Sequence, residues 1–156
     1  MIDKVRSQAS LSKTLAALRA KNKKIVFTNG CFDILHLGHV KYLKKAKSLG
    51  DVLVVGLNSD ASVRAIKGPS RPLNRQRDRA EVLASLFFVD YVSIFTEATP
   101  EKLILKLKPD ILVKGADWKS QDIVGGDFVK SRGGHVVRIP FVKGRSTTAL
   151  IKKMGG

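Results

Sequence analysis

The sequence predicts an α/β fold: an open parallel sheet of about five strands with flanking helices, on three observations. Short apolar runs of strand length alternate with segments whose apolar residues recur at helical spacing, the pattern of successive right-handed βαβ units. The run from Val52 to Leu57 (VLVVGL) is apolar throughout, as a strand buried on both faces of a parallel sheet requires. Polar clusters follow the strands at Asn58, Ser59 and Asp60 and again at Lys114 to Trp118, on the C-terminal edge where such sheets bind ligands.

Leu11, Leu15 and Leu18 recur at i, i+4 and i+7, which predicts a helix starting at Ser10 or Ser12 and ending near Asn22. Residues 1–22 are then a packing element, residues 24–154 the core of the fold, and 1–156 one domain. Ile25, Val26 and Phe27 form an apolar run broken by Asn29 and Gly30, while Val40, Leu43 and Ala46 repeat at helical spacing until Gly50. From Ser62 to Pro72 the periodicity is lost, and Arg64, Lys67 and Arg71 stand beside Gly68, Pro69 and Pro72; a mobile basic loop over the site is expected.

Asn74 is expected to cap the next helix, with Val82, Leu83, Leu86 and Phe87 on its buried face. Tyr91 to Phe95 reads as the third strand. Thr99 and Pro100 open a helix with proline in its first position, buried through Leu103, Ile104 and Leu107. Ile111 to Val113 is the fourth strand, a short helix is expected around Phe128, and Val136 to Ile139 is the fifth strand. Gly144 to Thr148 leads into a last helix through Leu150, Ile151 and Met154.

The formal charge of +16 favours anionic partners: nucleotide phosphates, nucleic acid or an acidic membrane surface. The cations are scattered, without a basic tail, so charge alone does not choose among these. Cys31 is the only cysteine, which precludes an intrachain disulfide. No stretch approaches the roughly 20 apolar residues of a membrane span, nor does the chain open with a signal peptide's apolar centre; a cytoplasmic location without membrane insertion is expected. Neither GxGxxG nor GxxxxGK[ST] occurs, which disfavours NAD binding and P-loop hydrolysis.

The chemistry concentrates in Phe27 to His39 (FTNGCFDILHLGH), where strand gives way to helix. A loop between a buried strand and a helix start aims unpaired N–H groups and the positive end of the helix dipole at one spot, where phosphate binds. His36 and His39 lie three residues apart there, able to share a face and reach one phosphate group, and Gly38 lets a ligand approach the backbone.

The H-x-G-H pattern after a strand resembles the signature of the nucleotidyltransferase superfamily that includes cytidylyltransferases and many adenylyltransferases. The longer string TNGCFDILHLGH, with LVKGADW and GRSTTALI further on, resembles the heptose 1-phosphate adenylyltransferase branch, from about Lys24 to Met154. The resemblance implies a doubly wound Rossmann-like fold, usually a homodimer. It also implies a reaction: a sugar phosphate oxygen attacks the α-phosphate of ATP and expels diphosphate, giving ADP-heptose for lipopolysaccharide core assembly.

A phosphate monoester has its second pKa near ~6, so its nucleophilic oxygen needs no strong general base. The work is to bring anions together and stabilise charge on the transferring phosphate, which suits histidine, lysine and arginine. His39 is therefore expected at the α-phosphate and His36 along the phosphate chain, with Lys67 as a further catalytic cation; Arg79 resembles the catalytic arginine that reaches the nucleotide phosphates in relatives. Asn29, Gly30, Cys31, Phe32 and Gly38 resemble the nucleotide-contacting loop. Cys31 reads as a small filler and not a nucleophile.

LVKGADW resembles the base and ribose segment, with Lys114, Gly115, Asp117 and Trp118. Gly144, Ser146, Thr147 and Thr148 resemble the tract facing the β- and γ-phosphates. Asp33, Asp60, Arg64 and Lys67 are expected on the sugar phosphate, with loop capping as a competing role for Asp33 and Asp60; Arg71 and Arg75 read as solvated. Mg²⁺ is expected to arrive with ATP, no dense carboxylate cluster being present to hold it, and no resident metal site is expected.

Two competing readings remain at this level. A cytidylyltransferase acting on glycerol 3-phosphate or phosphoethanolamine shares the H-x-G-H and S-T-T elements. A noncatalytic nucleic-acid-binding protein is suggested by the charge alone and is disfavoured; its binding would fall steeply with salt and survive replacement of both histidines.

Overall fold

In the computed structural model, which describes residues 3–140, 142 and 146–155, five parallel strands form one sheet in the order β3-β2-β1-β4-β5. The strands are β1 (Ile25–Gly30), β2 (Val52–Asn58), β3 (Tyr91–Phe95), β4 (Ile111–Gly115) and β5 (His135–Ile139). The helices among the described residues are α1 (Gln8–Ala20), α2 (Leu37–Lys47), α3 (Asp60–Lys67), α4 (Gln76–Ala84), α5 (Glu101–Leu107), α6 (Gly126–Ser131) and α7 (Thr147–Lys153), with a 3₁₀ turn at Ser120–Asp122. The chain winds outward from β1 to β3, then returns to the other side of β1 to place β4 and β5. That reversal opens a crevice between the C-terminal ends of β1 and β4, the switch point of a doubly wound sheet.

Strand alternation divides the core in two. Val26, Leu53, Val55 and Leu57 face α2 and α4 with Leu43, Ala46 and Leu83, while Ile25, Phe27 and Val54 face the other side with Leu11, Leu15, Leu103, Ile104 and Leu107. Every residue of β2 is buried. At Gly56 a Cβ would meet Phe27 Cζ at 2.7 Å, so this strand carries a glycine where the Phe27 ring crosses it. No helix among the described residues is long and apolar enough to cross a membrane.

Several elements depart from their expected bounds. α1 begins earlier, because Ser7 takes the cap and its Oγ accepts from the Ser10 amide. β1 continues through Asn29 and Gly30, which pair with Gly56 and Leu57 of β2. Most of the expected basic loop is helical: Ser59 caps α3, and Ser62 and Val63 are buried beneath it. α4 starts after Arg75, not Asn74, and buries Arg79, Ala80 and Leu83, while Val82 and Phe87 are exposed. The expected face failed there because its apolar pattern continued past Ala84, where the helix ends. Pro100 caps α5 instead of occupying its first turn.

Candidate active site

At the head of the crevice, His36 is the N-cap of α2: its Nδ1 accepts from the Gly38 amide at 3.0 Å, in the place usually taken by Ser or Asp. His39 follows within the first turn, and the two imidazoles stack with centroids 3.8 Å apart and planes 27° off parallel. Phe32 meets His39 edge-on at 5.1 Å. Burial, and then the neighbouring His36, push His39 down to about 4; burial also lowers His36. Both rings are therefore neutral at pH 7. His39 Nδ1 and Asn29 Oδ1 are both buried from solvent, and the Ile34 backbone carbonyl beside His39 opposes the lowering of its pKa.

The loop between β1 and α2 is braced from beneath. Arg79 is buried, and its guanidinium donates to the Cys31 carbonyl at 2.6 Å, the Asn74 carbonyl at 3.0 Å and Asp60 Oδ1 at 2.9 Å. Arg79 is not in the cavity wall: Nε, Nη1 and Nη2 each donate to a partner beneath the loop. Asp60, its partner, and Arg64, exposed on α3, also lie outside the cavity wall.

Asp33 does line the cavity, but its carboxylate accepts from the Leu73 and Asn74 amides at 2.8 and 2.9 Å and from Arg71 Nε at 3.0 Å. Burial alone would raise this carboxyl, and those donors outweigh it and hold it below the usual carboxylate range. Of the two roles weighed for Asp33, the loop anchor is the one its contacts support. Cys31 borders the cavity as a protonated thiol, since burial pushes it up despite the nearby charges of Lys67, Arg79 and Arg71.

Across the crevice, Lys114 Nζ lies 4.8 Å from the Trp118 ring centroid, and burial lowers its pKa while Asp117 opposes the shift. Trp118 is 43% exposed, so it is a cavity wall and not a core residue. On the α2 side, burial pushes Tyr42 up to about 12, and its hydroxyl shares a 2.7 Å hydrogen bond with Thr28 Oγ1. At the third side, Ser146 Oγ accepts from the Ala149 amide as the cap of α7, and Thr147 Oγ1 donates to the Ile34 carbonyl at 3.3 Å. Gly144 and Arg145 lie outside the described residues.

These three sides enclose a cavity of about 690 Å³. It gathers Asn29, Gly30, Cys31, Phe32, His36, Gly38 and His39 from the central loop, Lys67 from the end of α3, Lys114, Gly115, Asp117 and Trp118 from β4 and its loop, and Ser146, Thr147 and Thr148 from α7. Sequence reasoning missed Tyr42, Asn58, Thr99 and Arg71 in this wall. Tyr42 was findable, three residues beyond His39 on the same helix face. Among the described residues no group of three His, Cys, Asp or Glu side chains is placed to hold a metal. His135 opens β5 at the opposite edge of the sheet from His36 and His39.

Residues 27–149 match the cytidylyltransferase-like family. Relatives named bifunctional protein HldE are 55% identical over 151 residues in Trichlorobacter lovleyi, covering 97% of this chain and 31% of theirs, and 64% identical over 132 residues in Campylobacter concisus, covering 85% and 27%. The chain thus spans about a third of the length of these relatives. A lipopolysaccharide core biosynthesis protein from Thermoplasma volcanium superposes with a TM-score of 0.63 at 32% identity, covering 78% of this chain and 98% of that one. A pantoate-beta-alanine ligase from Francisella tularensis, TM-score 0.66 at 19% identity, shares the fold.

Proposed function

From the premise that the chain belongs to the cytidylyltransferase-like family, we propose that it is an adenylyltransferase that joins the AMP of ATP to D-glycero-β-D-manno-heptose 1-phosphate, releasing diphosphate. The observation that carries the reading is the pair of neutral, stacked histidines at the β1/β4 switch point, both lining the cavity. The similarity to the HldE relatives and to the lipopolysaccharide core biosynthesis protein supports the choice of heptose, together with the TNGCFD and LVKGADW strings.

In this reading a sugar phosphate oxygen attacks the α-phosphorus, a new P–O bond forms, and the bond to the β-phosphate oxygen breaks. His39 donates to the α-phosphate as negative charge develops, and His36 donates through its Nε2, its Nδ1 being held by Gly38. Lys67 reaches the same space, where its charge further depresses His39. Asp117 and Trp118 receive ribose and adenine, and the hydroxyls of Thr147 and Thr148 face the departing phosphates. Mg²⁺, arriving with ATP, would neutralise the diphosphate. The homodimer that the resemblance implies, and a cytoplasmic location, belong to the same proposal.

The test is diphosphate release with Mg²⁺, crossing ATP and CTP against β-heptose 1-phosphate, glycerol 3-phosphate and phosphoethanolamine. Release only with ATP and the heptose phosphate is expected. Release with CTP would keep the site chemistry and replace the substrate; silence from folded protein in every pairing would overturn the reading.

A further inference from the structure

The charge around the histidines leaves one group unused. Arg71 is a cavity-wall residue whose side chain is only 14% exposed, and Nε is its one nitrogen with a hydrogen-bond partner among the described residues, at 3.0 Å from Asp33 Oδ2. Asp33 itself is 1% exposed at its side chain and is fixed by the Leu73 and Asn74 amides, so the guanidinium is gripped at one edge by a rigid, buried carboxylate. Its Nη1 and Nη2 remain as an open fork, the geometry that matches two oxygens of one phosphate.

The place of Arg71 in the fold says which phosphate. It lies in the connection between α3 and α4, which follows β2, so it reaches the crevice from the β2 side of β1, whereas Lys114 to Trp118 reach it from β4 on the other side. A second phosphate, entering from that side to meet the α-phosphate at His39, would pass Arg71 first.

We propose that Arg71 binds the phosphate monoester of the acceptor substrate through Nη1 and Nη2, with Asp33 as the positioning residue that holds the fork open. This rests on the transferase reading above. Fixing the guanidinium beforehand removes the ordering cost that a solvated arginine would meet on binding. Two anions must be brought together here, and a clamped cation on the acceptor side offsets their repulsion while Lys67, exposed at the end of α3, stays free to follow the reacting phosphates.

The test compares wild type, Arg71→Gln and Arg71→Lys. With the acceptor that wild type uses, Arg71→Gln is expected to raise the acceptor KM about tenfold or more, the loss of charge-assisted hydrogen bonds, while the ATP KM holds; the melting temperature falls as well, because Asp33 loses a charged donor. Arg71→Lys, which keeps the charge without the fork, is expected to fall between. A loop clamp with no ligand role would instead move both KM values of the folded variant together, and that result, or an unchanged acceptor KM, overturns the proposal.

Failure of the transferase reading shows separately, as absence of turnover in wild type. In that event binding of inorganic phosphate to the ATP-loaded protein, followed by calorimetry, still reads the fork. Wild type is expected to bind about tenfold or more tightly than Arg71→Gln, and equal binding refutes the assignment.

Discussion

The imidazoles of His36 and His39 stack at 3.8 Å, one as the cap of α2 and the other in its first turn. Two imidazolium ions at that distance would repel, so the stack itself favours the neutral pair that burial already imposes. Neutral rings each keep one N–H for donation. His39→Ala is expected to leave the fold intact, since the ring packs at the cavity edge against Phe32, and to lower kcat by about 10² to 10³ through loss of a transition-state donor. Steady-state kinetics beside a circular dichroism spectrum would decide it; unchanged kcat in a folded variant removes His39 from the chemistry.

The same burial makes stability pH-dependent. His39 titrates at about 4 in the folded protein against 6.5 ordinarily, so between those values the unfolded chain binds a proton that the native one refuses. Its stabilising contribution is complete above about 6.5 and is lost as pH falls toward 4, and His36 acts in the same direction. The Asp33 contribution fades only at lower pH, because its folded value lies below the usual carboxylate range. Melting temperature should therefore fall from pH 7 to pH 5, and His39→Asn should flatten that slope. A wild-type slope that matches the variant's would show His39 to be free of this proton linkage.

The strands and the histidine loop were legible because both are local signals: continuous apolar runs, a turn sequence and a helix start carry their own period. What stayed hidden depends on partners distant in sequence. Arg79 reads as a cation for the nucleotide phosphates, and its hold on the loop shows only when Cys31, Asn74 and Asp60 are seen around it. Arg71 reads as solvated until Asp33, 38 positions away, is found at its Nε. The α3 helix was missed because its eight residues bury only Ser62 and Val63, too few for a periodic stripe. The three walls of the cavity come from β1, β4 and α7, whose adjacency follows from the strand order and not from any one motif.

Arg79 is expected to matter for stability before it matters for catalysis. Arg79→Met removes the guanidinium from two backbone carbonyls and from Asp60, leaving buried acceptors unpaired, and should destabilise by about 3 to 5 kcal/mol. Arg79→Lys, which cannot bridge three acceptors, should lose part of that. Urea denaturation measures both. A loss below about 1 kcal/mol, the range of an exposed pair, would mean the brace contributes little to the loop.

Trp118 gives a sharper division between binding and folding. It stands at the end of the β4 loop, 43% exposed, with Lys114 over its ring and both residues lining the cavity, so removing it opens no core void. A core tryptophan replaced by alanine would lose about 3 to 5 kcal/mol of stability; here the change should stay within about 1 kcal/mol, as for an exposed site. If adenine stacks on this ring, the interaction contributes about 1 to 3 kcal/mol, and Trp118→Ala should raise the ATP KM by about 5- to 100-fold with the acceptor KM unchanged. Fluorescence adds an independent reading, because Trp118 is the only tryptophan in the chain and its emission should respond to ATP. Quenching by ATP but not by the acceptor would place the base at this wall, whereas an unaltered spectrum and an unaltered ATP KM together would move the base elsewhere in the crevice.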